Sequence, residues 1–244
     1  MEILPAIDLL ADKCVRLVQG RFDRVIEYER DPVEVANSFL EAGAGWLHVV
    51  DLQGARCGNL MNLDALRRVT ATGARVEFGG GVRSTEAIQA ALDAGAERVI
   101  IGTRALEDWA WFKSVTHRPE FLNKLSLGLD ARLGKLAIHG WTKDTERTAI
   151  ELAEEVAHWP LATICYTDIG RDGMLLGPNI DATRTLGSVS VVPVVAAGGV
   201  TDLEDVRRLA QLNLEGVAIG RAIYEEALDL KDALAIARRG DEGS

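Results

Sequence analysis

Gly198-Gly199-Val200, with Val217-Ala218-Ile219-Gly220 ending 21 residues beyond Gly199, repeats an earlier stretch of the chain. The first copy reads Gly80-Gly81-Val82 and Val99-Ile100-Ile101-Gly102, and Gly81 and Gly102 are again 21 residues apart. From 80 to 198 the offset is 118 residues. Two further segments keep the same step. His48-Val49-Val50-Asp51-Leu52 answers Cys165-Tyr166-Thr167-Asp168-Ile169 (51 to 168, an offset of 117), and Ala6-Ile7-Asp8 answers Gly128-Leu129-Asp130 (8 to 130, an offset of 122). Four matched segments, in order and at nearly constant offset, mark a duplicated chain.

Around these segments, short apolar runs alternate with stretches of helix length. Strands are expected at Ile3–Ile7, Trp46–Asp51, Arg75–Phe78, Arg98–Ile101, Leu125–Asp130, Thr163–Asp168, Val191–Ala197 and Gly216–Ile219. Several are Val- and Ile-rich with little alternation, as suits strands buried on both faces of a parallel sheet. Between them, Asp31-Pro32 opens a helix over Val33–Ala42 and Ser84-x-Glu86 one over Ala87–Ala94. Thr201-x-x-Glu204 has the pattern of a capping box before a helix reaching about Leu212. Eight strand–helix units without a linker, joined by right-handed crossovers, give either an open sheet or a closed barrel. The duplication favours closure, since an open sheet has no reason for it. The expectation is one domain over residues 1–244, a (β/α)8 TIM barrel built from half-barrels at about 1–122 and 123–240.

Composition narrows the function. The chain has 244 residues, with 27 basic against 37 acidic side chains and a formal charge of −10. A field of that sign repels nucleic acid and anionic membrane, so an anionic ligand must be recruited by local groups. Cys14, Cys57 and Cys165 are odd in number and widely spaced, which argues for reduced thiols. The histidines form no cluster of zinc spacing, so no metal is expected. No basic leader or long apolar run occurs, and a cytoplasmic monomer is the reading. His48 reads as a core or supporting histidine, Cys57 as an incidental thiol, and Glu151, Glu154 and Glu155 as a solvated helix face.

In a barrel the matched motifs fall at the C-terminal ends of strands, where active sites lie. A single Gly-Gly is ordinarily a tight turn. Duplicated at equal spacing, Gly81 with Gly102-Thr103 and Gly199 with Gly220-Arg221 read instead as two backbone phosphate sites, one per half. A bisphosphate ligand follows. Asp8 and Asp130 close apolar runs at symmetric positions; each taken alone could cap a helix or pair with arginine, and together they read as an acid and a base. Asp51 and Asp168, also paired by the repeat, read as residues that orient loops.

Pro5-Ala6-Ile7-Asp8, Val15-Arg16-Leu17, Gly79–Arg83, Gly140-Trp141, Thr167-Asp168-Ile169-x-Arg171-Asp172-Gly173 and Gly177-Pro178-Asn179 resemble the aminoaldose–ketose isomerases of histidine biosynthesis, the phosphoribosylformimino-5-aminoimidazole carboxamide ribotide isomerases. The likeness runs from about residue 2 to about residue 236. It implies an Amadori rearrangement of a ribosylamine carrying a phosphate at each end, with no cofactor. It makes Asp8 the proton acceptor, Asp130 the donor and Thr167 necessary for turnover. Arg16, Arg83, Asp172 and Gly177 become substrate-binding, with Asp172 also a candidate for a second acid, and Trp141 either stacks on the planar carboxamide ring or anchors its loop. Met174 departs from the threonine that many relatives carry. A dual-substrate isomerase that also acts on phosphoribosylanthranilate, the cyclase of the same pathway, and a catalytically silent phosphate-binding scaffold are the alternatives.

Overall fold

The computed structural model describes residues 1–18, 21–28, 30–132 and 134–241; the side chains of residues 16–18, 21–24 and 239–241 lie outside that description. Its strands are β1 (Glu2–Leu10), β2 (Lys13–Val18), β3 (Arg21–Glu27), β4 (Trp46–Asp51), β5 (Arg75–Gly79), β6 (Arg98–Ile101), β7 (Leu125–Arg132), β8 (Lys135–Ile138), β9 (Lys143–Thr148), β10 (Thr163–Asp168), β11 (Val194–Ala197) and β12 (Gly216–Ile219). Eight of them pair in parallel around a ring, β1–β4–β5–β6–β7–β10–β11–β12, and β12 returns to β1 with Ile3 opposite Val217. The barrel is closed, and helices surround it.

The eight expected strands are all present, with three informative differences. β11 starts at Val194 rather than Val191: Pro193 has no N–H to give a ladder, and Val191 is 66% exposed. β1 and β7 run past the barrel rim, each turning back into an antiparallel hairpin. β1 turns through Ala11 and Asp12, both at positive φ, into β2 and β3; β7 turns near Gly134 into β8 and β9. Asp8 and Asp130 therefore do not end their strands. Each lies two residues before the end of a strand whose tip stands above the barrel.

Helix starts follow the sequence closely. Asp31 accepts from the Val33 N–H at 2.8 Å, with Pro32 opening the helix Pro32–Glu41, and Ser84 caps Thr85–Asp93. The capping box expected at Thr201 does not form. Asp202 takes that position, accepting from the Glu204 and Asp205 N–H groups, while the Thr201 hydroxyl donates to the Gly199 carbonyl. A capping box does occur at Thr148, with Glu151 reaching back to the Thr148 N–H. The glutamate face over 151–155 is exposed as expected, although Glu155 also pairs with Arg147.

Strand residues pointing outward, such as Ile7, Leu47, Phe78, Leu127 and Ile164, join the helices in one large core. Inside the barrel, a small separate cluster of Leu4, Trp46, Val195 and Ala218 packs near the N-terminal ends of the strands. The Arg75 and Arg98 guanidiniums each sit 4.1 Å from the centroid of the Trp46 ring. Glu97 holds Arg75 and Glu215 holds Arg98, so this end of the barrel is plugged by packed and paired groups.

Candidate active site

The opposite end opens into a cavity of about 1510 Å³, counting its mouth, lined by the C-terminal ends of the barrel strands. Twelve of the fourteen sequence-derived site residues line it: Asp8, Gly81, Arg83, Gly102, Thr103, Asp130, Trp141, Thr167, Asp172, Gly199, Gly220 and Arg221. Gly177 does not. It turns at φ +75 beneath Gly199 and gives its N–H to the Thr201 hydroxyl. The Arg16 side chain lies outside the described residues.

The two halves repeat each other in detail. At the end of β4, Asp51 is fully buried and accepts from the N–H groups of Gly54, Met61 and Asn62 and from Asn62 Nδ2, all within 2.7–3.0 Å. At the end of β10, Asp168 accepts from the Gly170 N–H at 3.0 Å and from Asn179 Nδ2 at 2.7 Å. Both aspartates thus hold the loop that follows them by an asparagine eleven residues on. Gly102 (φ −101, ψ −94) and Gly220 (φ −108, ψ −94) share an unusual backbone conformation, each at the start of a short helix.

The paired glycines have a second cause that the sequence did not reveal. Gly80, Gly81, Gly198 and Gly199 all have φ between +75 and +100. A Cβ on Gly81 would stand 2.5 Å from the Asn59 carbonyl oxygen, and one on Gly199 would stand 2.6 Å from that of Gly177. Glycine is required there because the preceding loop packs against its backbone, whatever ligand lies above. Gly102 is different: its nearest contact would be the Gly128 carbonyl at 3.6 Å.

Asp130 sits in the most worked-out environment of the mouth. Trp141 Nε1 donates to its Oδ2 at 2.9 Å, and the Thr167 hydroxyl donates from the neighbouring strand, where Thr167 is the direct partner of Asp130. Burial pushes the Asp130 carboxyl above the ordinary aspartate range; the bonds from Trp141 and Thr167 oppose that, and the charge of Asp172 adds to it. Trp141 reaches this carboxyl because His139, Gly140 and Trp141 all adopt positive φ in the turn between β8 and β9. His139 anchors the turn, its N–H donating to Thr103 Oγ1 and its ring meeting Glu107 at 3.0 Å. Asp8, 8% exposed, stands on β1 between Val50 of β4 and Val15 of β2.

The family model described as "Histidine biosynthesis protein" matches residues 2–229. The chain belongs to this histidine biosynthesis family. A member from Thermodesulfovibrio yellowstonii is 46% identical over 238 residues, covering 97% of both chains. One from Gloeobacter violaceus is 46% identical over 241 residues, 97% of this chain and 94% of its own, and one from Alcanivorax borkumensis is 44% identical over 241 residues, 97% of each. All three carry the name 1-(5-phosphoribosyl)-5-((5-phosphoribosylamino)methylideneamino) imidazole-4-carboxamide isomerase.

Within this family member, two rim contacts went unseen in the sequence. Arg83 leans over Gly58 and donates to the Ala55 carbonyl at 3.4 Å, so the 55–59 loop, which carries no chemical signal of its own, seats an arginine. Arg221 donates to the Gly173 carbonyl at 2.6 Å and so ties the Asp172-Gly173 loop to the rim. His48 reaches the cavity as well. Its Nδ1 lies 2.6 Å from Glu77, a fully buried carboxylate on the adjacent strand β5. Cys57 is exposed, and none of the three cysteines is in a disulfide.

Proposed function

We propose that this chain is an intramolecular isomerase that converts a bisphosphorylated aminoaldose into its aminoketose by an Amadori rearrangement. The observation that carries the reading is the pair of carboxyls on one cavity, Asp8 and Asp130, with Asp130 biased toward its protonated form. Asp130 acts as the acid. It protonates the furanose ring oxygen, and the ring opens to a protonated Schiff base at C1. Asp8 acts as the base and removes the C2 proton, giving an enolamine. Returning that proton to C1 while the C2 hydroxyl proton goes back to Asp130 completes the ketose and restores both carboxyls. No atom is gained or lost.

Thr167 and Trp141 set the position and proton affinity of Asp130, and Trp141 also offers a flat face to the planar carboxamide ring. Gly81, Arg83, Gly102 and Thr103 hold one phosphate. Gly199, Gly220 and Arg221 hold the other, with Arg16 as a further contributor; Asp172 faces the ligand from the loop after β10, and Gly177 acts by seating Gly199 rather than by touching the ligand. Fixing both ends of the ligand sets the reacting ribose between the carboxyls and removes much of the entropy of aligning it. The cyclase and dual-substrate alternatives are not favoured, because the relatives are named for the single isomerase. We read the chain as one domain of two half-barrels, at about 1–122 and 123–240, supported by the paired hairpins and Asp–Asn loop anchors. We also place it in the cytoplasm, supported by its free cysteines, and read it as a monomer. Among the described residues, no helix is long and apolar enough to cross a membrane.

Turnover of the purified aminoaldose tests the assignment. Asp8→Asn and Asp130→Asn are each expected to lower kcat by about 10²–10⁴-fold with little change in substrate affinity. Wild-type turnover in either variant removes that residue from the mechanism.

A further inference from the structure

Below the two carboxyls, the middle layer of the barrel holds three side chains that the proposed reaction does not use. His48 on β4, Glu77 on β5 and Cys165 on β10 each offer one ligand atom, and these atoms all lie within 4.8 Å of one another. Barrel interiors are normally filled by branched apolar residues, so a nitrogen, a carboxylate and a thiol converging there need a physical account. The His48–Glu77 contact satisfies one carboxylate oxygen. The other, Glu77 Oε2, is buried and has no hydrogen-bond partner among the described residues, on a side chain that is 0% exposed. An oxygen left so is costly unless a further partner binds it.

The donor set says what that partner is. One imidazole nitrogen, one carboxylate oxygen and one sulfur suit a borderline-soft divalent ion and are poorly matched to magnesium or calcium, which prefer oxygen throughout. Three protein donors leave a fourth position open. His48 and Cys165 both line the cavity, so the ion has a route in from the mouth. The distances are close to what such an ion needs. Tetrahedral bonds of about 2.0–2.3 Å place donor atoms roughly 3.4–3.7 Å apart, a spacing inside the 4.8 Å within which the three ligand atoms already lie.

From this we infer that His48, Glu77 and Cys165 form a binding site for a thiophilic divalent cation of the zinc class, set in the floor of the cavity. Binding exchanges protons for metal: the Cys165 thiol gives its proton to solvent as the sulfur–metal bond forms, and the proton shared by His48 and Glu77 leaves with it. The three residues are 29, 88 and 117 positions apart in pairs, so no spacing rule would find them.

Cobalt(II) titration of the purified, chelator-treated protein tests the site without reference to any reaction. Thiolate coordination gives a near-ultraviolet sulfur-to-cobalt charge-transfer band, and a tetrahedral site gives intense visible bands. Both are expected at one equivalent, displaced by zinc. Cys165→Ala should abolish the charge-transfer band. Glu77→Gln, which keeps the shape of the side chain, should weaken binding at least as much as the loss of a supporting group, about 10–100-fold. Cys57→Ser, which removes the exposed thiol, should change neither signal. A spectrum without the thiolate band, or one that persists unchanged in Cys165→Ala or in Glu77→Gln, overturns the proposal.

Discussion

Replacing Trp141 with Phe should move the alkaline limb of the pH–rate profile upward. The indole Nε1–H donates to Asp130 Oδ2 at 2.9 Å, and this bond favours the ionised carboxylate. Phenylalanine keeps the flat ring and removes the donor, leaving burial less opposed. A hydrogen bond to a charged group contributes about 1.5–3 kcal/mol when dry. Trp141 and Asp130 are only half-buried at an open mouth, so about 1 kcal/mol is a fair share. Losing that bond raises the Asp130 pKa further, so the variant holds its proton more tightly. The working form of an acid is the protonated one, and its activity falls as pH rises through its pKa. The alkaline limb of kcat/KM should therefore shift to higher pH. The assay is initial-rate kinetics on the aminoaldose between about pH 5 and about pH 10, wild type against Trp141→Phe. An alkaline limb that stays fixed or moves down would refute both the direction of the coupling and Asp130 as the acid.

Three further outcomes follow from the same geometry. Because burial raises the Asp130 pKa, the folded state binds that proton more tightly than the unfolded one, and the ionised group opposes folding above its folded pKa. Asp130→Asn should thus stabilise the protein near neutral pH by about 1 kcal/mol, or roughly 2–4 °C in Tm, with the gain shrinking as pH falls toward the unfolded value near 4; a variant less stable than wild type at neutral pH contradicts this. Asp51→Ala strands two buried N–H donors and a part-buried third and should cost about 3–5 kcal/mol in urea unfolding, against about 1–3 kcal/mol for Asp168→Ala with its single backbone donor, and the reverse order would undo the account of the loop anchors. Exhaustive chelation should leave isomerase activity intact, while added zinc should lower it reversibly. Activity that falls on chelation and returns with zinc would show a metal that serves the reaction.

The fold was legible because duplication leaves a mark that a single sequence can display. The offset between Asp51 and Asp168, or between Gly81 and Gly199, located strand ends more firmly than apolar runs did. The hairpins were not legible. Lys143–Thr148 reads Lys-Asp-Thr-Glu-Arg-Thr, a mostly exposed strand with no apolar period, held by its neighbours above the barrel. Thr201-x-x-Glu204 misled because Asp202 competes for the same N–H groups, and a carboxylate at a helix start also gains from the dipole. The paired glycines were found for an incomplete reason: their lack of a Cβ accommodates the adjacent loop, which local spacing does not disclose. The cluster under the cavity was invisible because its members sit on three strands and meet only when the ring closes.

The stacked Arg75, Trp46 and Arg98 at the base turn the barrel into a vessel with one doorway. A molecule rearranged inside has no rear exit and must leave along the path by which its precursor arrived. On the proposed reaction, the aminoaldose and the aminoketose carry the same two end groups and so compete for the same place in that doorway. Entry and exit then share one path. Net flow in one direction then depends on how quickly the next consumer in the cell clears the ketose from outside the door.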